Sequence, residues 1–156
     1  MRKGETIRVE IESLGAAGDG RAVANGRPVF VPLTLPGEVV DVRLTGERDS
    51  AWHGEVTHWE THAPERVVAP CSHFGDCGGC ALQHLDEAAY SRLKMDRLTH
   101  ALNSHGLSTA SVAAPVMLPS GTRRRTRFAA HHHQQGVAVG YRARGSRWVV
   151  EVSSCL

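Results

Sequence analysis

The stretch RAVANGRPVFVP, residues 21–32, predicts two short β-strands joined by a tight turn. Its centre is Asn25-Gly26, a dipeptide typical of two-residue hairpins because both central positions of such a turn adopt a positive φ. Upstream, ETIRVEIESL (residues 5–14) alternates apolar with charged residues, which is the period-two pattern of a half-buried strand. The sequence around this stretch therefore favours β-structure over helix.

The same kind of pattern continues downstream. Pro36-Gly37 suits a type II turn, because glycine accepts the positive φ at the third position. Apolar residues then recur at every second position from Val40, and a further strand is expected around residues 52–58. About five strands in some 55 residues, with no helix, favour a small closed barrel, since closure removes the exposed edges of a short sheet.

Three of the four cysteines lie in CSHFGDCGGC, residues 71–80, and the fourth is Cys155. The spacing Cys71-x5-Cys77-x2-Cys80 supplies three thiolates from one loop, whose glycines let the backbone wrap closely. Four thiolates suit either a tetrahedral zinc ion or an iron–sulfur cluster. The spacing favours the cluster, because structural zinc sites usually consist of two Cys-x2-Cys pairs and the second pair is missing here.

The start of the chain, MRKGETIRVE, has no apolar segment typical of a secretory signal. No apolar run approaches the ~20 residues that a membrane-spanning helix requires. We therefore expect a soluble, monomeric protein of the cytoplasm that does not act at a membrane. The reducing environment there argues against the alternative that the four cysteines form two disulfides.

A single helix is predicted, over about residues 86–105. Asp86 can cap its N-terminus, and Gly106 can take the left-handed position after its C-terminus. Four apolar residues fall on one face of it: Ala88, Met95, Leu98 and Leu102. We expect this face to pack against the cysteine loop.

Charge is distributed unevenly along the chain. Residues 1–119 hold 11 Lys and Arg against 15 Asp and Glu, for −4, whereas residues 120–156 hold 7 against 1, for +6. All seven basic residues of the second part are arginines, which indicates a polyanionic partner. Solvation of the arginines, or contact with an acidic surface of another domain, would be the alternative role.

Three β-type runs are predicted in the last part of the chain: TRRRTRFAA, GVAVGYRA and SRWVVEVSSC. If the first is extended, alternate arginines share one face and can contact phosphates, together with arginines of the next run. The candidate RNA-binding residues are Arg123, Arg125, Arg127, Arg142 and Arg144. HHHQQG is predicted to be a hairpin tip. Four aromatic residues are candidates for stacking on bases, although the core is the commoner place for each: Phe30, Trp52, Trp59 and Trp148.

Three groups of motifs in the chain are similar to those of one protein family. The first group is residues 11–14, 18–20, 29–32 and 35–38, and the second is Cys71, residues 77–80 and 83–85, Tyr90 and Lys94. The third runs from residues 140–142 to Cys155. With them the chain resembles the N-terminal part of bacterial RNA uracil-C5 methyltransferases, which make 5-methyluridine in ribosomal or transfer RNA. The first group resembles the TRAM domain, an OB-like RNA-binding barrel. The second resembles the cluster loop and helix of the family, and the third its central β-region.

The resemblance implies a fold that is mainly β with one helix. Residues 1–60 would form the OB-like TRAM barrel, residues 61–110 a linker, the iron–sulfur loop and the helix, and residues 111–156 the start of an arginine-rich central β-domain. It also implies ribosomal or transfer RNA as the partner. A 4Fe–4S cluster would be the cofactor, with four ligands: Cys71, Cys77, Cys80 and Cys155.

In the family, the chain continues into a domain that binds S-adenosylmethionine and carries the catalytic cysteine and the general base. This sequence ends at Leu156, with no glycine-rich cofactor loop and no fifth cysteine. We therefore expect the RNA-binding and iron–sulfur portion of a class I S-adenosylmethionine-dependent RNA methyltransferase. By itself this portion should be inactive, with no catalytic or S-adenosylmethionine-binding residue.

Two other functions remain open at this stage. One is a stand-alone RNA-binding adaptor with a structural zinc site made of the four cysteines, which the metal content would distinguish from an iron–sulfur protein. The other is a ferredoxin-like electron carrier. The arginine-rich segment and the lack of a second cluster motif disfavour the electron carrier.

Overall fold

The computed structural model describes residues 1–107, 111–134 and 136–155. The chain divides into two compact units, residues 1–68 and residues 69–156, called here the first and the second unit. The prediction of a mainly β fold with one helix is confirmed. No helix in the described ranges is long and apolar enough to cross a membrane.

The first unit contains six strands: β1 Thr6–Glu10, β2 Ser13–Leu14, β3 Gly20–Ala24, β4 Arg27–Val31, β5 Val39–Arg48 and β6 Ala51–Thr61. They form one sheet in the order β1-β5-β6-β4-β3-β2, in which only β4 and β6 run parallel. The two edge strands, β1 and β2, are consecutive in the chain and only two residues apart. β1 and β2 do not pair with each other, so the sheet is open at these two edges and the closed barrel predicted from the strand count is not formed.

Local sequence signals explain the turns of this sheet. Asn25 and Gly26 both have a positive φ, of 49° and 71°, and join β3 to β4 as the sequence predicts. Gly37 has a φ of 83°, and the N–H of Glu38 donates to the carbonyl of Leu35 across the turn. Both turns place a residue that tolerates a left-handed conformation where the backbone requires one.

The core of the first unit comes from the alternating apolar residues of the strands. Nine of them form one buried cluster: Val9, Ile11, Ala22, Val29, Val31, Val40, Val42, Leu44 and Trp52. Trp52 is only 6% exposed, so this aromatic candidate for base stacking is a core residue. Apolar burial of this kind is the main stabilising contribution to a small sheet.

One charged side chain is fully buried beside this core. Glu38 is 0% exposed, and its carboxylate accepts hydrogen bonds from the backbone N–H groups of Leu35 and Ala63, at 2.9 and 3.2 Å. The guanidinium of Arg66 donates from both Nε and Nη2, the latter at 2.7 Å. Arg66 also donates to the carbonyl of Leu33 at 2.8 Å, so it ties two loops of the first unit together.

Glu38 should make the stability of the first unit depend on pH. Burial alone would raise the pKa of Glu38, but the hydrogen bonds from Arg66, Leu35 and Ala63 together hold this pKa below its ordinary value of 4.5. The unfolded state therefore takes up the proton first as the pH falls. The stabilisation by ionised Glu38 should be fully present above about pH 4.5 and lost as the pH falls through the lower folded pKa.

The measurement is urea denaturation of the wild type and of Glu38→Gln between pH 3 and 7. The difference in the free energy of unfolding between the two proteins should be constant near neutral pH and should shrink below about pH 4.5. Asp41, whose pKa is lowered by the hydrogen bond from Arg8, is present in both proteins, so its contribution cancels in the difference between their free energies of unfolding. A difference that does not change with pH would show that Glu38 does not titrate as described.

The described residues of the second unit form one helix and a three-stranded antiparallel sheet. The helix is α1, Glu87–Ser104, and the strands are β7 Ala129–His133, β8 Gly136–Arg142 and β9 Val149–Glu151, with β8 in the middle. The three histidines of HHHQQG belong to β7, so the hairpin tip is shorter than predicted. Gln135, within that tip, lies outside the described residues.

The ends of α1 follow the sequence signals closely. The carboxylate of Asp86 accepts from the N–H of Ala89 at 2.7 Å, which caps the first turn. After the last turn, Gly106 has a φ of 70°, and Leu107 donates back to the carbonyl of Leu102 at 3.0 Å. This is the Schellman arrangement that stops a helix at a glycine.

Two sequence predictions for the second unit are wrong. No residue of α1 is buried, and Leu98 on the predicted packing face is 48% exposed. The run TRRRTRF is not a strand: residues 123–127 are irregular, and regular pairing starts only at Ala129. The arginines there do not belong to a strand, so strand alternation does not place Arg123, Arg125 and Arg127 on one face.

Candidate metal centre and nucleic-acid interface

The cysteine loop, residues 71–80, is folded by short backbone hydrogen bonds. Phe74 donates to the carbonyl of Cys71 at 3.1 Å, and Cys77 donates to that of His73 at 2.9 Å. Gly75 between them has a φ of 104°, a conformation that a residue with a side chain rarely adopts. The loop thus brings Cys71 and Cys77 onto one compact bend.

Backbone contacts dock this loop on the end of β8. Gly78 donates to the carbonyl of Arg142 at 2.9 Å, and Arg144 donates to the carbonyl of Asp76 at 3.1 Å. A Cβ on Gly78 would lie 2.7 Å from that Arg142 oxygen, so a side chain does not fit there. This close approach is the physical reason for glycine next to Cys77 in the sequence.

All four cysteines line a single cavity of about 170 Å³, called here the cysteine cavity. The remaining lining residues come from the loop, from the residues just after it, from the segment before β7, from β8 and from the segment after β9: His73, Phe74, Gly79, Gln83, Arg123, Tyr141, Val152 and Ser154. Within the described ranges, no three Cys, His, Asp or Glu side chains are placed closely enough to hold one metal ion. The cavity thus brings the three cysteines of the loop and Cys155 together.

Hydrogen bonds orient groups around the cysteine cavity. The N–H of Gly79 donates to Cys77 Sγ at 3.4 Å, and the N–H of Cys71 donates to Gln83 Oε1 at 3.3 Å. An amide directed at a sulfur stabilises its thiolate form, which is the form that binds metals. The Nε2 atom of His73, also at this cavity, is buried and has no hydrogen-bond partner among the described residues.

Tyr141 of β8 is a residue that sequence reasoning did not select as a site residue. Its hydroxyl hydrogen-bonds with Thr126 Oγ1, and the thiol of Cys155 donates to it with an Sγ–O distance of 3.9 Å. Its ring packs edge-on against Phe128 with centroids 5.1 Å apart. Tyr141 thus connects the segment around Thr126 to the fourth cysteine, a link that spacing along the sequence does not predict.

The arginine segment, residues 123–127, is exposed at every arginine. Within the part of the chain that the structure describes, none of its arginines forms a salt bridge. Arg123 lines the cysteine cavity, whereas Arg127 and Arg142 line a neighbouring pocket together with Gly78. Arg144 is half-buried and lies on neither pocket. Four of the five predicted RNA-binding arginines are therefore exposed, and three of these four line the cysteine cavity or the pocket next to it.

Comparison with known proteins finds one family match and several similar proteins. Residues 2–56 match the TRAM domain family. The chain is 38% identical, over 96% of its length, to an uncharacterized RNA methyltransferase of Rhizobium meliloti, and 40% identical, over 93%, to one of Caulobacter vibrioides. It is 35% identical, over 96%, to the 23S rRNA (uracil(1939)-C(5))-methyltransferase RlmD of Shewanella woodyi.

These relatives are longer than the chain. The aligned part is 36% of the Rhizobium protein and 34% of each of the other two, so the chain spans about a third of the curated relatives it matches. The predicted resemblance to RNA methyltransferases with a TRAM domain is confirmed over that third.

Proposed function

We propose that this chain, which contains a TRAM domain and is similar to RNA methyltransferases over almost its whole length, is the RNA-binding and iron–sulfur portion of an S-adenosylmethionine-dependent RNA (uracil-C5) methyltransferase. Methyl transfer belongs in this proposal to the longer protein, and no residue of the chain is given a catalytic role. The observation that carries the proposal is the cysteine cavity, where Arg123 and all four cysteines meet.

The residues at the cavity fit a 4Fe–4S cluster. Four cysteine sulfurs are the usual ligand set of such a cluster, and amides directed at sulfur are usual around it. About 10–15 Å³ is enough for one water molecule, so a cavity of about 170 Å³ has room for a group of several atoms. The choice of a cluster over zinc follows the cysteine spacing, in which the second Cys-x2-Cys pair usual for structural zinc is missing.

In this proposal, Cys71, Cys77 and Cys80 hold the cluster from the loop and Cys155 holds it from the segment after β9. A bound cluster supplies a covalent cross-link between these two segments and a centre that can take up or release one electron. The chain's own groups set the environment of the sulfurs. The Gly79 N–H donates to Cys77 Sγ, and the Tyr141 hydroxyl, which accepts from the Cys155 thiol here, would donate to that sulfur once Cys155 is a thiolate ligand.

The arginine segment and Arg142 bind RNA phosphates in this proposal. Exposed guanidinium groups without carboxylate partners are available for charge-assisted hydrogen bonds to phosphate oxygens. Such contacts release counterions from the nucleic acid, so the affinity they provide falls as the salt concentration rises. They position the RNA and do not read its sequence.

The test of RNA binding is the double substitution Arg123→Ala with Arg125→Ala. The affinity for a structured RNA, measured by fluorescence anisotropy, should fall, and the slope of log K against log salt should flatten by up to about 1.4, since each lost phosphate contact to a single strand contributes about 0.7. The matched control is Arg8→Ala with Arg43→Ala, which removes the same charge from arginines paired with Asp41 and Glu55. Equal slopes for the double variant and the wild type would remove the arginine segment from the interface.

A further inference from the structure

Three side chains form a row on the outer face of the first unit. Phe30 of β4 is the register partner of Arg21 on β3 and of His53 on β6, so the three lie side by side across adjacent strands. Their neighbours in the chain are core residues, and successive side chains of a strand point to opposite faces. Arg21, Phe30 and His53, called here the stacking row, therefore face away from the core, and each is half-buried.

The two rings of this row stack on one another. The centroids of Phe30 and His53 are 5.7 Å apart, and the ring planes differ by 29°. A Cβ on Gly15 would lie 3.0 Å from Phe30 Cε1, so any side chain at position 15 would crowd the ring. Glycine there lets the backbone of the β2–β3 turn lie against the edge of the Phe30 ring without a side chain over it.

The charges of the first unit show what kind of contact this surface can make with a nucleic acid. Residues 1–68 hold eight Lys and Arg against eleven Asp and Glu, for −3, whereas residues 69–156 hold ten against five, for +5. Most arginines of the first unit are paired with carboxylates: Arg8 with Asp41, Arg21 with Glu12, Arg27 with Glu47, Arg43 with Glu55 and Arg66 with Glu38. A phosphate would have to displace these carboxylates, so the paired arginines offer little to RNA phosphates, and stacking on bases is the contact that we consider for this sheet surface.

We propose that Phe30 and His53 form a stacking site for an unpaired base of RNA, with Arg21 at its edge. The inference rests on the proposed RNA-binding function. It adds a second contact with RNA, made by stacking on a base and not by charge on a phosphate. Aromatic stacking accepts any base, because every base has a π-face, and it contributes no counterion release. The first unit thus adds affinity that salt does not weaken, while the arginine segment adds affinity that salt does weaken.

The experiment uses the whole chain and a fluorescein-labelled oligouridylate about 12 nucleotides long, with Kd measured by anisotropy over a series of salt concentrations. Phe30→Ala should raise Kd about five- to a hundredfold at every salt concentration and leave the salt slope unchanged. Phe30→Trp, which keeps an aromatic face, should bind nearly as the wild type does. Arg123→Ala with Arg125→Ala should instead change the slope.

A second measurement covers the case in which Phe30→Ala fails to fold, which circular dichroism would reveal. Ultraviolet cross-linking of the wild-type chain to the same oligouridylate should give adducts on the peptides that contain Phe30 or His53. Adducts confined to other peptides, or an unchanged Kd for folded Phe30→Ala, would overturn the stacking site. If the slope of log K against log salt is still flatter for Arg123→Ala with Arg125→Ala in that case, the proposal that the arginine segment binds RNA is retained. A wild-type chain that does not bind the oligouridylate at any salt concentration would overturn the stacking site, and the RNA-binding proposal would then depend on the titration with structured RNA.

Discussion

Cys155→Ser should lose almost all of its iron and acid-labile sulfide when it is purified without oxygen. In the proposed site, Cys155 is the only ligand from outside the cysteine loop, and it reaches the cavity from the segment after β9. Serine is a much poorer ligand than a thiolate for the soft iron of a cluster. We expect the content to fall from about four iron atoms per chain to less than one, with loss of the brown absorbance.

The matched control for this experiment is Ser153→Ala, which changes a residue two positions away that does not line the cavity. It should keep the iron and sulfide of the wild type. Retention of both by Cys155→Ser would exclude Cys155 from the ligand set. A colourless wild-type chain with one zinc ion per molecule would overturn the iron–sulfur proposal and favour the zinc adaptor instead.

Arg66→Ala should lower the free energy of unfolding of the first unit by about 3–5 kcal/mol. The substitution leaves the carboxylate of Glu38 buried without its charged partner, and a buried charge that loses its partner keeps its full desolvation cost. It also leaves the Leu33 carbonyl without the Arg66 hydrogen bond. The loss is a large fraction of the roughly 5–15 kcal/mol typical of a whole domain.

The measurement is urea denaturation at pH 7, followed by tryptophan fluorescence, since Trp52 and Trp59 both lie in the first unit. Arg66→Lys should give an intermediate result, because an ammonium keeps the charge but cannot donate two parallel hydrogen bonds to one carboxylate. Arg8→Ala, which removes an arginine from an exposed pair with Asp41, should change stability little. Equal effects of Arg66→Ala and Arg8→Ala would show that burial of Glu38 does not carry the stability assigned to it.

The two proposed RNA contacts differ in the interaction that provides their affinity. The arginine segment offers exposed charge, while the stacking row offers ring faces on a unit whose own charge is negative. A salt titration therefore separates them, because only the charge contacts release counterions. Together they divide RNA binding into phosphate contacts, which lie beside the cysteines, and base contacts, which lie on the TRAM sheet.

Local signals in the sequence were sufficient for several elements. Asn25-Gly26 specified the hairpin, and Asp86 with Gly106 specified both ends of α1, because backbone preference at those positions involves only neighbouring residues. The alternation in residues 5–14 and from Val40 also marked positions that lie in the core, among them Val9, Ile11, Val40 and Val42, whereas Ile7 is only partly buried. The arginine segment failed as a predicted strand, because strand formation depends on a hydrogen-bonding partner that the sequence does not name.

By itself, the sequence of this protein determined the turns at Asn25-Gly26 and Pro36-Gly37, the caps of the helix and the buried face of β1 and β5, since each follows from periodicity or φ preference. Only the tertiary structure decided which distant residues meet. It placed Arg66 on Glu38, 28 residues away, and Phe30 beside His53 through the parallel pair of β4 and β6. It also brought Cys155 to Tyr141 and to the loop. These contacts depend on how strands pair and pack, which no short stretch of the chain encodes.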